Sequence, residues 1–72
     1  MRALLYVKTG CKFCDEIRRS LEDEGIAYEA IDVADRRETI PELLKLTRGK
    51  RIVPVLVDAK GVHVAPRGGS PF

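Results

Sequence analysis

The chain lacks tryptophan and is poor in aromatic side chains, which make up 6% of its 72 residues. Proteins that bind single-stranded nucleic acids stack the bases on aromatic rings, so this scarcity disfavours that class. Charge points the same way, since 13 basic and 11 acidic residues leave a net charge of only +2. The sequence also has no apolar run near the roughly 20 residues that cross a bilayer, and Met1–Lys8 is too short for a secretory signal. We therefore expect a cytoplasmic protein that binds neither nucleic acid nor membrane.

The length predicts one small domain over residues 1–72 with a thin core. Four apolar or alternating segments predict β-strands: Ala3–Val7, Ile26–Val33, Ile52–Val57 and Val62–Val64. A turn at Asp58–Gly61 separates the last two of these strands.

Two segments predict helices between the first three strands. From Cys11 to Glu24 the apolar residues recur at helical spacing, and Gly25 supplies a stop. The second helix begins at a capping box, Thr39-Ile40-Pro41-Glu42. The residues that we expect to face the core are Cys14, Ile17, Leu21, Ile40, Leu43 and Leu44.

The resulting order, βαβαββ, predicts an α/β sandwich with a four-stranded mixed sheet. The first two strands should be parallel because a helix joins them, and the last two should form a hairpin. Ser70 and Pro71 have the residue types of a helix N-cap and a first helical residue. This stretch therefore looks like the beginning of a further helix, and we expect that final helix to be short or absent.

The two cysteines, Cys11 and Cys14, are separated by two residues where the first strand leads into the first helix. A bridge between them closes a very small loop and stabilises the fold little, so a chemical role is the better explanation. We expect Cys11 to lie exposed at the helix start, where free N–H groups and the nearby Lys8 and Lys12 favour a thiolate. Cys11 would then be the nucleophile and Cys14 the resolving thiol of a disulfide exchange.

Two alternatives to redox chemistry follow from the same residues. A Cys-x-x-Cys pair can be half of a metal site, either with His63 or shared with a second pair in a dimer. The alternating Val62-His63-Val64 instead favours a solvent-facing histidine, and we predict no metal. The domain could also be a non-catalytic redox sensor.

Pro54 interrupts an apolar strand, which is typical of an edge, a bulge or a cis bond. A cis Val53-Pro54 bond would turn the backbone groups of Val53 outward, where an extended substrate could pair with them. Phe13, between the cysteines, would form one wall of the groove. Arg51, in the basic stretch before Val53, could attract a carboxylate.

With Cys11-x-x-Cys14 after the first strand, Val53-Pro54 opening the third and Gly68-Gly69 near the end, the whole chain resembles a glutaredoxin of the thioredoxin-like fold. The resemblance implies that Cys11 is the nucleophile and Cys14 the resolving cysteine of a thiol–disulfide oxidoreductase. It further implies a site for glutathione as co-substrate, with no tightly bound cofactor, and disulfide-bearing proteins as partners of a monomer. The implied glutathione-binding residues are Lys8, Lys12, Phe13, Arg51, Val53, Pro54, Gly68, Gly69 and Ser70.

Three departures from the family pattern predict weaker recognition of glutathione but not loss of thiol exchange. Lys12 stands where proline is usual, Ser70-Pro71 replaces the acidic residue that commonly follows the glycine pair, and Ala65-Pro66-Arg67 moves that pair later. Some small relatives draw electrons from a thioredoxin-type reductase instead, or carry selenocysteine at the position of Cys11. A thioredoxin-reductase-dependent electron donor is therefore the alternative function.

Overall fold

The computed structural model of the protein describes residues 2–72. Along these residues the elements are β1 (Ala3–Val7), α1 (Lys12–Asp23), β2 (Tyr28–Asp32), α2 (Ile40–Thr47), β3 (Ile52–Val53), β4 (Val55–Asp58), β5 (Gly61–Val64) and β6 (Ser70–Pro71). One turn of 3-10 helix, Arg37–Thr39, precedes α2.

The main sheet has four strands in the order β2-β1-β4-β5. β1 pairs in parallel with β2 and antiparallel with β4, and β4 forms the predicted hairpin with β5. This mixed sheet with two short helices confirms the predicted thioredoxin-like fold. Neither helix in residues 2–72 is long and apolar enough to cross a membrane.

The first helix forms as its spacing predicts. Cys14, Ile17 and Leu21 are its buried residues, and they join a core that includes Leu5 and Tyr6 of β1. Because side chains at i, i+3 and i+7 lie on one face, this stripe fixes the orientation of α1 and of the cysteine at its start.

The second helix begins at Ile40 as predicted, but the predicted capping box is absent. The backbone of Thr39 is already helical, and its hydroxyl donates to the carbonyl of Arg36 at 2.6 Å. The preceding 3-10 turn explains the difference, since it places the Thr39 hydroxyl toward the turn before the helix. Leu43 is fully buried, whereas Ile40 and Leu44 are half-buried.

One expectation about the C-terminal half was wrong. Ile52–Val57 is not one strand, because Pro54 has no N–H to donate and separates β3 from β4. The bond before Pro54 is cis, as the proline in this apolar run suggested. Ser70 and Pro71 do not start a helix but form β6, which pairs antiparallel with β3.

Candidate active site

Cys11 caps the helix that follows it. Gly10 has a φ of +80°, which lets the chain turn from β1 into α1, and Cys11 is the N-cap residue. Its Sγ accepts a hydrogen bond from the backbone N–H of Cys14 at 3.2 Å. The sulfur therefore lies at the start of α1, where the first backbone N–H groups of the helix have no partner within the helix.

Cys14 lies one helical turn further on, and its surroundings favour the protonated thiol. Burial raises the pKa of the Cys14 thiol, and its hydrogen bond to the side chain of Cys11 acts in the same direction. A backbone hydrogen bond from Lys8 opposes these effects without cancelling them. Cys14 is consequently held as a thiol in contact with Cys11.

The expectation that Cys11 is exposed was wrong. Cys11 and Cys14 are each only 1% exposed and belong to the buried core cluster. The half-buried rings of Phe13 and Phe72 pack against this cluster. The N-terminus of α1 alone would leave Cys11 exposed to solvent. Residues that are distant in the sequence, such as Phe72, pack against the cluster that contains it.

The backbone of Val53 is not free for a partner, contrary to the expectation of an outward-facing edge. Val53 pairs with Ser70 of the same chain across β3 and β6, and Val53 itself is fully buried. Gly68 and Gly69 do not start a helix either. They belong to the turn that precedes β6, in which the Gly68 N–H donates to the carbonyl of Ala65 at 3.1 Å.

Lys8 and Arg51 line one cavity beside this strand pair. They line a cavity of about 280 Å³ together with a third cation, Arg37, and its apolar wall includes Val33 and Ile40. Cationic side chains over apolar walls suit a small organic anion. Lys12 lies elsewhere, beside a cavity that the acidic Asp15 and Glu16 also line, together with Gly10 and Arg19.

Arg37 was missed by the sequence reasoning. It stands in the run Asp35-Arg36-Arg37-Glu38, where nothing local distinguishes it from Arg36. The 3-10 turn starts at Arg37, and Arg37 lines the cavity whereas Arg36 does not. Arg36 instead lies 3.4 Å from the exposed carboxylate of Glu38.

Asp32 is a second residue that the sequence did not single out. It lines a cavity of about 210 Å³ that Cys14 and Lys8 also line. The hydroxyl of Thr9 donates to its carboxylate at 2.7 Å and, with the backbone N–H groups of Ala34 and Asp35, lowers the pKa of Asp32. Asp32 is therefore an ionised carboxylate on the side of Cys14.

His63 is placed outside the cysteine site. Its Nε2 lies 3.1 Å from Oδ1 of Asp58 on the β4–β5 hairpin, and this hydrogen bond lowers the pKa of Asp58. No group of three or more histidine, cysteine or acidic side chains within residues 2–72 is arranged to hold a metal ion.

The chain is similar to the N-acetyl-S-hydroxy-L-cysteine reductase of Bacillus subtilis (strain 168), with 31% identity over 58 residues. The alignment covers 81% of this chain but 61% of that relative, so the chain spans about three fifths of its length.

A family model described as glutaredoxin matches residues 3–64, which include both cysteines, the Val53-Pro54 bond and the whole four-stranded sheet. The match covers most of the chain, and it coincides with the fold and with the cysteine pair at the start of α1. The chain therefore belongs to the glutaredoxin family.

Proposed function

We propose that the protein is a dithiol glutaredoxin-type oxidoreductase that reduces protein disulfides or glutathione mixed disulfides. One observation carries the proposal: the Cys11 sulfur caps α1 and accepts the N–H of Cys14, while the protonated Cys14 thiol contacts it. A sulfur stabilised as an anion beside a second thiol is the arrangement that disulfide exchange requires.

In the first step, the Cys11 thiolate attacks one sulfur of the substrate disulfide. A new S–S bond joins Cys11 to that half of the substrate, and the other half leaves as a thiolate that takes a proton from water. No cofactor takes part, because the two electrons come from the thiol pair.

In the second step, Cys14 loses its proton and attacks the Cys11 sulfur. The bound half of the substrate leaves as a thiol, and Cys11 and Cys14 are left as a disulfide, having lost the two electrons that the substrate gained. Formation of the mixed disulfide removes the negative charge from Cys11, which helps Cys14 to ionise. Glutathione would then return the pair to the dithiol state.

The cationic cavity supports a small anionic thiol as co-substrate. Glutathione carries carboxylates, and Lys8, Arg37 and Arg51 surround a space into which one could extend. Lys12 faces a different cavity and would contribute only long-range attraction.

A second candidate is the reduction of a small cysteine sulfenic acid, which the relative's name suggests. The Cys11 thiolate would attack the sulfur of the S–OH group, and the oxygen would leave as water after taking a proton. Cys14 would then release the substrate as a thiol and close the disulfide, so that the atoms and electrons balance. N-acetyl-S-hydroxy-L-cysteine also carries a carboxylate that would suit the same cations.

The deciding experiment compares electron sources. The protein is supplied with a small glutathione mixed disulfide and either glutathione with its reductase or a thioredoxin reductase, and consumption of NADPH is followed. Turnover with glutathione supports the proposal. Turnover only with thioredoxin reductase would instead support the alternative function, an electron donor that depends on that reductase. The absence of turnover with either source would refute disulfide reduction.

Arg37→Ala is expected to raise KM for a glutathione mixed disulfide about two- to fivefold with kcat little changed, because an exposed charge pair contributes up to about 1 kcal/mol. Arg36→Ala is the matched control, since it removes the same charge one residue away but outside the cavity. Steady-state kinetics of both variants measure the effect. Equal changes in KM would show that net charge, and not this cavity, binds the substrate.

A further inference from the structure

Residues 68–72, here called the strap, lie along the groove in which a substrate would pair. Ser70 and Pro71 form β6 against β3, with Ser70 opposite Val53. The backbone N–H of Phe72 donates to the carbonyl of Arg51 at 3.3 Å. The strap thus occupies the edge of Val53 as an added antiparallel strand, which is how extended peptides bind to sheets.

The strap also engages Lys8 and Arg51, two of the three cations that line the cavity. Nζ of Lys8 donates to the carbonyl of Pro71 at 2.6 Å, and Nε of Arg51 donates to the carbonyl of Phe72 at 2.9 Å. The guanidinium of Arg51 also lies 4.8 Å from the centre of the Phe72 ring. Both hydrogen bonds are exposed, so water can replace them at small net cost.

The strap packs closely against Phe13 in α1 and against β3. A Cβ added to Gly68 would lie 2.9 Å from the ring of Phe13, the residue between Lys12 and Cys14. A Cβ added to Gly69 would lie 2.7 Å from the carbonyl oxygen of Val53. Glycine is needed at both positions for the strap to approach this closely. Phe13 and the strap residue Phe72 both pack against the buried cluster that contains Cys11, which is 1% exposed.

We propose that the strap is an internal occupant of the substrate groove, which keeps Cys11 closed until an anionic substrate displaces it. The inference rests on the function proposed above. A carboxylate is a stronger acceptor for Lys8 than the peptide carbonyl of Pro71 that it binds in this structure. A substrate with an extended backbone and a carboxylate therefore replaces the strand pairing of the strap and improves the contact at Lys8, whereas an uncharged disulfide does not.

The strap can be loosened without changing Cys11 or the cations. In Gly69→Ala the added methyl group meets Val53 and the side chains of Ile52 and Ala65, and the backbone at this position is outside the left-handed region, so the contact alone causes the effect. Phe72→Ala removes the ring that packs against the core and Arg51. Val62→Ala is the matched control, since it shortens an exposed apolar side chain on β5.

The measurement is the rate at which iodoacetamide, an uncharged reagent, alkylates Cys11 in a Cys14→Ser background, where it is the single thiol. Gly69→Ala and Phe72→Ala are expected to raise this rate at least about tenfold, because alkylation requires a local opening of the strap. Val62→Ala should leave it unchanged. Circular dichroism confirms that each variant is folded, and a variant that is unfolded is replaced by deletion of residues 70–72.

Unchanged alkylation rates in folded strap variants would overturn the proposal, because Cys11 would then be closed by the core itself. A rate increase as large in Val62→Ala would also overturn it, since general loosening would explain the result. The assay does not use turnover, so it separates failure of the strap from failure of the proposed function. Active enzyme with unchanged alkylation refutes the strap alone.

Discussion

Replacing Cys11 with serine is expected to lower turnover of every disulfide substrate by at least about 10³-fold, because a serine hydroxyl is not ionised near neutrality and cannot act as the nucleophile. The substitution should leave the fold intact. Serine is a favourable N-cap residue, and its oxygen can accept the Cys14 N–H that the Cys11 sulfur accepts now. Steady-state turnover together with urea unfolding separates the chemical effect from a structural one.

Cys14→Ser is the matched control, because it changes the same atoms one helical turn away. Cys14 is needed only to resolve a mixed disulfide, and glutathione can do this from solution. Cys14→Ser should therefore still reduce small glutathione mixed disulfides while losing the reduction of protein disulfides. If Cys11→Ser kept activity that Cys14→Ser lost, the roles of the two thiols would be reversed, and if neither lost activity, the pair would not be catalytic.

Helix α1 could be predicted because the residues that specify it lie close together in the sequence. The stripe of Cys14, Ile17 and Leu21 fixes one face, and Gly25, at a φ of +69°, ends the turn after it. The position of Cys11 at the N-cap follows from these residues alone. Its burial does not follow from them.

The strap was missed because local and long-range preferences conflict there. Ser70 and Pro71 have the residue types of a helix start, and this preference is purely local. Pairing with Ile52 and Val53 instead satisfies backbone groups and brings Phe72 onto the core. Partners that lie about twenty residues apart in the chain leave no periodic signal near either one.

The cationic cavity was only half predictable for the same reason. Lys8 adjoins the cysteines in sequence and Arg51 adjoins Val53, so a motif could place both of them. Arg37 reaches the cavity through a 3-10 turn that no residue pattern specified, and the turn also replaced the predicted capping box at Thr39. Its contribution depends on how α2 is seated on the core.

Leu43→Ala is expected to lower the free energy of unfolding by about 2–5 kcal/mol, the usual cost of a fully buried leucine. Leu43 is 0% exposed and joins α2 to the core. A helix of eight residues is too short to be stable alone, so this packing holds it in place. Urea unfolding followed by circular dichroism measures the loss, which is large against the roughly 5–15 kcal/mol that stabilises a typical domain.

Leu44→Ala serves as the control, because it removes the same atoms from the adjacent, half-buried position on α2. Both variants lose the same side chain and keep a good helix former, so helix propensity cannot separate them. The loss for Leu44→Ala should be less than half of that for Leu43→Ala, since less apolar surface returns to water. Equal losses would mean that both leucines, and not Leu43 in particular, hold α2 against the core. The position of Arg37 beside Lys8 and Arg51 would then not depend on Leu43 alone.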